Sequence, residues 1–305
     1  SRDDPGVRKQ LLEELDKGVL IVNYSGHGST EVLSHELVIS KNDVRQLKSP
    51  RLPFWITASC DVAPFDSPLE SLGLNLTGNE TGGAIGMLST TRTVYASLNR
   101  CMNLSFNRYV LAYGDDGEPY ALGDALRLAK NELVTAAKGE TDMSENKIHY
   151  VLLGDPALRL AAPQLAVVVD SIDGVEASAL GTVAAGAVVT VRGHVECGGE
   201  KMDSYRGMLS ATVYDSERMI TCFDNLKVAD EPFRFKYRDR VLYAGSDSVR
   251  GGEFTLTFPV PMDINYSDEK GQIMLYAISD SGYTAHGHFD NFTVGGTAAG
   301  LATDN

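Results

Sequence analysis

A change of periodicity near Ala162 constrains this chain more than any other feature. Up to about Leu160, short apolar runs alternate with segments long enough and amphipathic enough to be helices. Beyond Pro163 no helical period recurs; QLAVVVDSI, AVVTVRGHVEC, MLSATVYDS, GEFTLTFPV and QIMLYAIS are β-type runs separated by Gly, Asp, Asn and Ser turns. Alternation of strand and helix implies a mostly parallel sheet covered by helices, whereas short strands between turn signals imply an all-β sandwich. The expected organisation is an α/β domain over 1–162, a β-sandwich over 163–296, and a small, polar tail or linker over 297–305.

Within the first region GVLIVNYSG (18–26), PFWITASC (53–60) and GGAIGMLSTT (82–91) read as buried strands. Helices are expected over 5–16, where Pro5 suits a first turn, and over 41–48, 100–113 and 121–138. The last has the clearest face, with Ala125, Leu126, Ala129, Leu133 and Ala136 in register.

Charge and cysteine content exclude several classes of function. The net charge is -14, and no Lys/Arg cluster offers the phosphate contacts on which nucleic-acid affinity depends. Residues 1–162 hold 16 basic and 21 acidic side chains, and residues 163–305 hold 11 and 20, so most of the excess lies in the second region. Four cysteines without a CxxC pair fit neither a structural zinc site nor a dense disulfide framework. No apolar run approaches the roughly 20 residues of a membrane-spanning helix, and SRDDPGVRKQ lacks the apolar core of a signal peptide. The reading is a cytoplasmic chain, or a mature or excised part of a larger one.

Chemistry concentrates where two apolar runs stop. GVLIVNYSGHGST delivers His27 between glycines, and PFWITASC ends at Cys60 before the turn-prone DVAPFDSP. Adjacent parallel strands would set the imidazole and the thiol at one sheet edge, where α/β proteins keep their chemistry. A base beside a thiol lowers its pKa and supplies the attacking thiolate. Gly28, without Cβ, lets its N–H approach a carbonyl oxygen, and the Cys60 N–H is a second oxyanion donor. The alternatives for each residue alone are a structural strand-end histidine and an inert buried thiol.

These blocks resemble the caspase, legumain and gingipain clan of cysteine peptidases. LIVNYSGHGS, WITASCDVAPFDSPLESLG, GGAIGMLSTTRTVYASLN, ALGDALRLAKNELV and HYVLLGDPALRLAAP are similar to the gingipain-like sortases of the Bacteroidetes type IX secretion system. So, further on, are VRGHVE, LYAGSDSVRGGEFTLTFPVPMDINYSDEKGQIMLYA and FTVGG. The resemblance implies a caspase-like α/β catalytic domain followed by an immunoglobulin-like sandwich, at the extracellular face of the outer membrane. It implies Cys60 as nucleophile, His27 as general base, the Gly28 and Cys60 amides as oxyanion donors, and no cofactor. The implied partners are cargo proteins with a C-terminal signal domain, other secretion components and a lipopolysaccharide acceptor. The clan's acidic partner for the histidine is expected upstream of Ser1. The competing readings are a secreted gingipain-type endopeptidase and a non-catalytic surface scaffold.

Other residues carry two readings each. Asp61 and Asp66 line a cleft, hold a cation, or cap a turn. Ser89, Thr90 and Thr91 shape a specificity pocket or merely leave a strand. Glu31 and Glu36 stand in for the missing acid or are solvated loop residues. Cys101 reads as a core thiol, and Cys197 and Cys222 are a possible disulfide. His286 and His288 lack a third ligand and read as structural.

Overall fold

A computed structural model describes residues 5–115, 117–135, 141–163, 165–223 and 230–298. The chain divides into two compact units, Ser1–Ala162 and Pro163–Asn305.

In the first unit the strands are β1 (Ile21–Ser25), β2 (Val32–Leu33), β3 (Ile39–Ser40), β4 (Phe54–Ala58), β5 (Gly86–Thr90) and β6 (Tyr150–Leu153). The helices are α1 (Pro5–Lys17), α2 (Lys41–Gln46), α3 (Leu72–Gly78), α4 (Ala96–Tyr109) and α5 (Leu122–Thr135). The main sheet runs β1-β4-β5-β6, with the first three strands parallel and β6 antiparallel to β5.

Every residue of β4 and β5 is buried, because helices cover both faces. Phe54 and Ile56 point into one core with Met102 and Phe106 of α4 and Ala125, Ala129 and Leu133 of α5. Trp55 points into the other, with Leu15 of α1, Val44 of α2 and Leu72 and Leu76 of α3. Burying an aromatic side chain of this size contributes about 2–3 kcal/mol.

β1 departs from expectation. Asn23 and Ser25 are exposed, since β1 is the edge strand and β4 covers only one side of it. Helix α4 starts four residues earlier than its apolar pattern suggests, and Ala136, assigned to the face of α5, lies outside the described residues, as do 137–138. Among the elements that escaped the sequence reading are α3 and β6. LGLNLTG forms α3, capped by Ser71, whose side chain accepts the Leu74 N–H at 3.3 Å. Its two glycines weaken the helical signal and burial against the sheet supplies the stability. β6 is too short to show a period.

The second unit is all β. Its strands are β7 (Leu165–Ile172), β8 (Val175–Glu176), β9 (Gly181–Ala185), β10 (Val188–Cys197), β11 (Glu200–Lys201), β12 (Arg206–Tyr214) and β13 (Arg218–Thr221). There follow β14 (Arg234–Tyr237), β15 (Val241–Arg250), β16 (Glu253–Pro259), β17 (Glu269–Lys270), β18 (Gln272–Ser279), β19 (Thr284–Phe289) and β20 (Phe292–Thr297). Seven of them, β7-β10-β16-β15-β12-β18-β19, return to β7 and close a barrel-like sheet.

Closure depends on β7, which pairs antiparallel with β10 and, at Leu165 and Ala166, parallel with β19. A register shift at Arg192/Gly193 bends β10 there. A Cβ on Gly193 would lie 2.1 Å from the Val168 carbonyl oxygen, so only glycine admits this approach. Strands β17, β20 and β9 form a separate three-stranded sheet, and Val183, Phe292 and Val294 join the core of this unit. Cys197 and Cys222 are both free thiols, not a disulfide.

Candidate active site

The pairing of β1 with β4 ends at Ser25 opposite Ala58. His27 and Cys60 each follow two residues later, so they leave the carboxyl ends of adjacent parallel strands in the same register.

Beyond Ser25 the chain folds into a narrow hairpin. The Ser34 N–H donates to the His27 carbonyl at 2.8 Å, Gly28 bridges Leu33, and the Ser29 N–H donates to the Val32 carbonyl at 3.0 Å. The Tyr24 hydroxyl donates to the same His27 carbonyl at 2.6 Å. A Cβ on Gly28 would stand 2.2 Å from Ser59 Oγ, so the absent side chain is what brings this hairpin against the residue before Cys60. Among the described residues, the Gly28 and Cys60 N–H groups have no acceptor.

Cys60 is half-buried, and its thiol donates to the Val94 carbonyl at 3.3 Å while the Val94 N–H approaches the sulfur at 3.5 Å. The residue after it, Asp61, has φ 49°, a left-handed conformation uncommon outside glycine, and its carboxylate accepts from Thr93 Oγ1 at 3.1 Å. That sharp turn is how a buried strand presents its last side chain at the rim. Asp66, further on, pairs with Arg92 at 2.5 Å, which holds its carboxyl below the usual range.

Behind the thiol lies a buried polar layer. The Tyr150 phenol is fully buried and has no hydrogen-bond partner among the described residues, and burial, the Cys60 charge and the Asp142 charge push its pKa above the ordinary value. Asp142 is also fully buried; its Oδ1 accepts from the Ser144 N–H and hydroxyl, and its Oδ2 has no partner among the described residues. Neither residue stood out in the sequence, because a Tyr beginning an apolar run and an Asp in a polar loop look ordinary.

Several suspects are engaged in other contacts. Ser89 and Thr90 are fully buried: Ser89 shares a 2.7 Å hydrogen bond with Thr57, and Thr90 donates to the Ser59 carbonyl. Thr91 is buried and its N–H donates to the His149 carbonyl at 3.0 Å. These hydroxyls brace the interior strand β5 and the loop ends beside it. Glu31 is committed to Lys41 at 2.5 Å, and Glu36 accepts from Ser34 Oγ. Cys101 lies on α4, where its thiol donates to the Ser97 carbonyl at 3.3 Å. One neighbour of His27 was not anticipated: the His35 ring, 5.2 Å away between centroids and tilted by 31°.

The family model of peptidase family C25 matches residues 1–161. The chain belongs to this family. The C25 match indicates a cysteine peptidase and covers the α/β unit that carries His27 and Cys60. Among solved structures, latent PorU from Porphyromonas gingivalis aligns at 26% identity with a TM-score of 0.45, over 74% of this chain and 21% of that one. The complex of P. gingivalis RgpB pro- and mature domains aligns at 16% identity with a TM-score of 0.46, over 95% and 58%. The Arg-specific cysteine proteinase gingipain R aligns at 16% and 0.45, over 95% and 57%. This C25 chain thus spans about a fifth of the PorU structure and under three-fifths of the gingipain structures. No curated protein matches it.

Proposed function

We propose that the chain is the catalytic part of a cell-surface sortase. It cleaves C-terminal signals from type IX secretion cargo through a thioester on Cys60 and passes the cargo to surface lipopolysaccharide. The observation that carries the reading is the matched exit of His27 and Cys60 from neighbouring parallel strands within the C25 unit. The block resemblance to the type IX sortases extends it to cargo, acceptor and the outer face of the outer membrane. In the same reading the α/β unit is a caspase-like domain. In it the β unit is an immunoglobulin-like sandwich, its main sheet closed through β7.

The chemistry follows from the groups present. Cys60 leaves Val94 and gives its proton to His27, and the thiolate attacks the scissile carbonyl carbon. The oxyanion takes hydrogen bonds from the Gly28 and Cys60 amides. Collapse breaks the C–N bond, and the signal peptide leaves as an amine that carries the proton back from His27. An acceptor amine then attacks the thioester, gives its proton to His27, and the thiol is regenerated. Asp61, in its strained turn, fixes the direction of the Cys60 side chain.

The test is a cargo bearing its C-terminal signal, incubated with the intact protein with and without a glycolipid or amine acceptor, and products weighed by mass spectrometry. Acceptor-linked cargo, lost in Cys60→Ala, supports transfer. Free carboxylate at every acceptor concentration identifies a gingipain-type endopeptidase, and no cleavage at all leaves a scaffold module.

A further inference from the structure

The backbone of His27 is held firmly while its ring is not. Two donors, the Tyr24 hydroxyl and the Ser34 N–H, fix its carbonyl. Among the described residues, the imidazole itself has no hydrogen bond, and no carboxylate pairs with it. The torsion that spins an imidazole about its Cβ–Cγ bond is broad, so a base without ring contacts spends most of its time out of line. The feature that restricts it here is the neighbouring imidazole of His35, whose centroid lies 5.2 Å away at 31°.

The loop that presents His35 is built under strain. Ser34 has φ 64° and Leu37 has φ 56°, two non-glycine residues in the left-handed region that bracket His35 and Glu36. Such conformations persist only where the surroundings over-determine them. Here the Ser34 N–H bond to His27 ties one end, and the Glu36 N–H donating to Ser34 Oγ at 3.2 Å closes the bend. The Val38 N–H donating to the Leu33 carbonyl at 3.1 Å holds the other end. The outcome of this strain is one exposed ring laid against another.

We propose that His35 is a positioning residue for His27: its ring contact holds the imidazole in the plane from which it takes the Cys60 proton. The inference rests on the reading of His27 and Cys60 as base and nucleophile. It assigns the contact a role in orientation, so a flat ring at position 35 suffices and a small side chain does not.

The experiment compares the intact chain with His27→Ala, His35→Ala and His35→Phe, after thermal melts confirm that each is folded. Two readouts are taken: kcat and KM on a cleavable peptide, and the rate of Cys60 alkylation by iodoacetamide followed by peptide mapping, with Cys101, Cys197 and Cys222 as internal references. His35→Ala is expected to lower kcat about tenfold with KM within about twofold, and to slow Cys60 alkylation in parallel. His35→Phe is expected to restore both to within about threefold of the parent. Wild-type kcat in His35→Ala, or an equal loss in His35→Phe, overturns the proposal while a slow His27→Ala leaves the catalytic reading standing. Wild-type behaviour in His27→Ala removes that reading and this one together.

Discussion

Both units carry a histidine on a strand or just past one, and the two are held in opposite ways. His194 sits in the middle of β10 of the closed sheet, with Nδ1 3.0 Å from Asp170 and Nε2 3.5 Å from Glu196. His27 stands past the end of β1 with no carboxylate partner among the described residues, against only another imidazole. Judged by partners alone, His194 looks the better equipped base. What distinguishes His27 is position: the next parallel strand ends in the same register with a thiol two residues later.

The strands differ in the same sense. β4 is buried at every position, so its side chains become available only past its end. β16 alternates exposed and buried residues and presents half of its side chains to solvent along its whole length. A sheet covered on both faces concentrates its chemistry at the rim, and one covered on a single face spreads its polar groups evenly.

The sharpest attempt to break this contrast exchanges the histidines' fates. His27→Ala is expected to lower peptide cleavage by at least about 10³-fold, and His194→Ala to leave kcat/KM within about twofold, as measured with a fluorogenic peptide. Comparable losses in both would show that the carboxylate-held histidine is the functional one.

Neighbouring positions test the burial patterns. In β4, Trp55→Ala and Ile56→Ala should cost about 3–5 and 2–5 kcal/mol in urea denaturation, since each faces a core. In β16, Leu256→Ala should cost about 2–5 kcal/mol and the adjacent Thr255→Ala less than about 0.5. A uniform cost along β16 would contradict its one-sided burial.

Gly28 and Ser59 offer a smaller effect with a built-in control. Gly28→Ala forces its Cβ to 2.2 Å from Ser59 Oγ and is expected to cost about 1–3 kcal/mol. Ser59→Ala removes a buried hydroxyl that has no partner among the described residues and should be close to neutral. In the double variant part of the Gly28→Ala loss returns, and additive effects in that cycle would mean the two residues do not press on each other.

The smallest effect is electrostatic and lies at alkaline pH. Tyr150 has its pKa raised in the folded state, so above about pH 10 the unfolded chain loses a proton that the folded chain keeps. Its contribution is therefore complete below that pH and declines above it, at up to about 1.4 kcal/mol per pH unit. Tyr150→Phe should flatten the fall of stability above pH 10 by up to one proton's worth, read from denaturation midpoints. An unchanged slope would place the phenol in contact with water.

Much of this was legible in the residues. Continuous apolar runs announced β4 and β5, the helical face of α5 was visible in Ala125, Ala129 and Leu133, and the two strand ends singled out His27 and Cys60. The misses share a cause. β1 has the same apolar look as β4, and composition does not say which strand of a sheet is central. α3 is held by Leu72 and Leu76 in a core whose other members come from α1, α2, β2, β3, β4, β5 and the loops between them. Ser89 and Thr90 carried two readings, and no local stretch shows that their hydroxyls bond Thr57 and the Ser59 carbonyl.

The sequence by itself determined the class of each unit and the two residues that end its most apolar runs, because both follow from local periodicity and from what a buried strand must do when it stops. Tertiary structure alone decided that the β strands close into a seven-membered ring through β7. It also decided that Gly28 is required by Ser59, that Tyr150 and Asp142 lie buried behind Cys60, and that a second imidazole rests on the first. Each of these depends on which distant segments are brought together, and the relevant contacts are set by strand order, register and backbone strain that no single stretch of residues encodes.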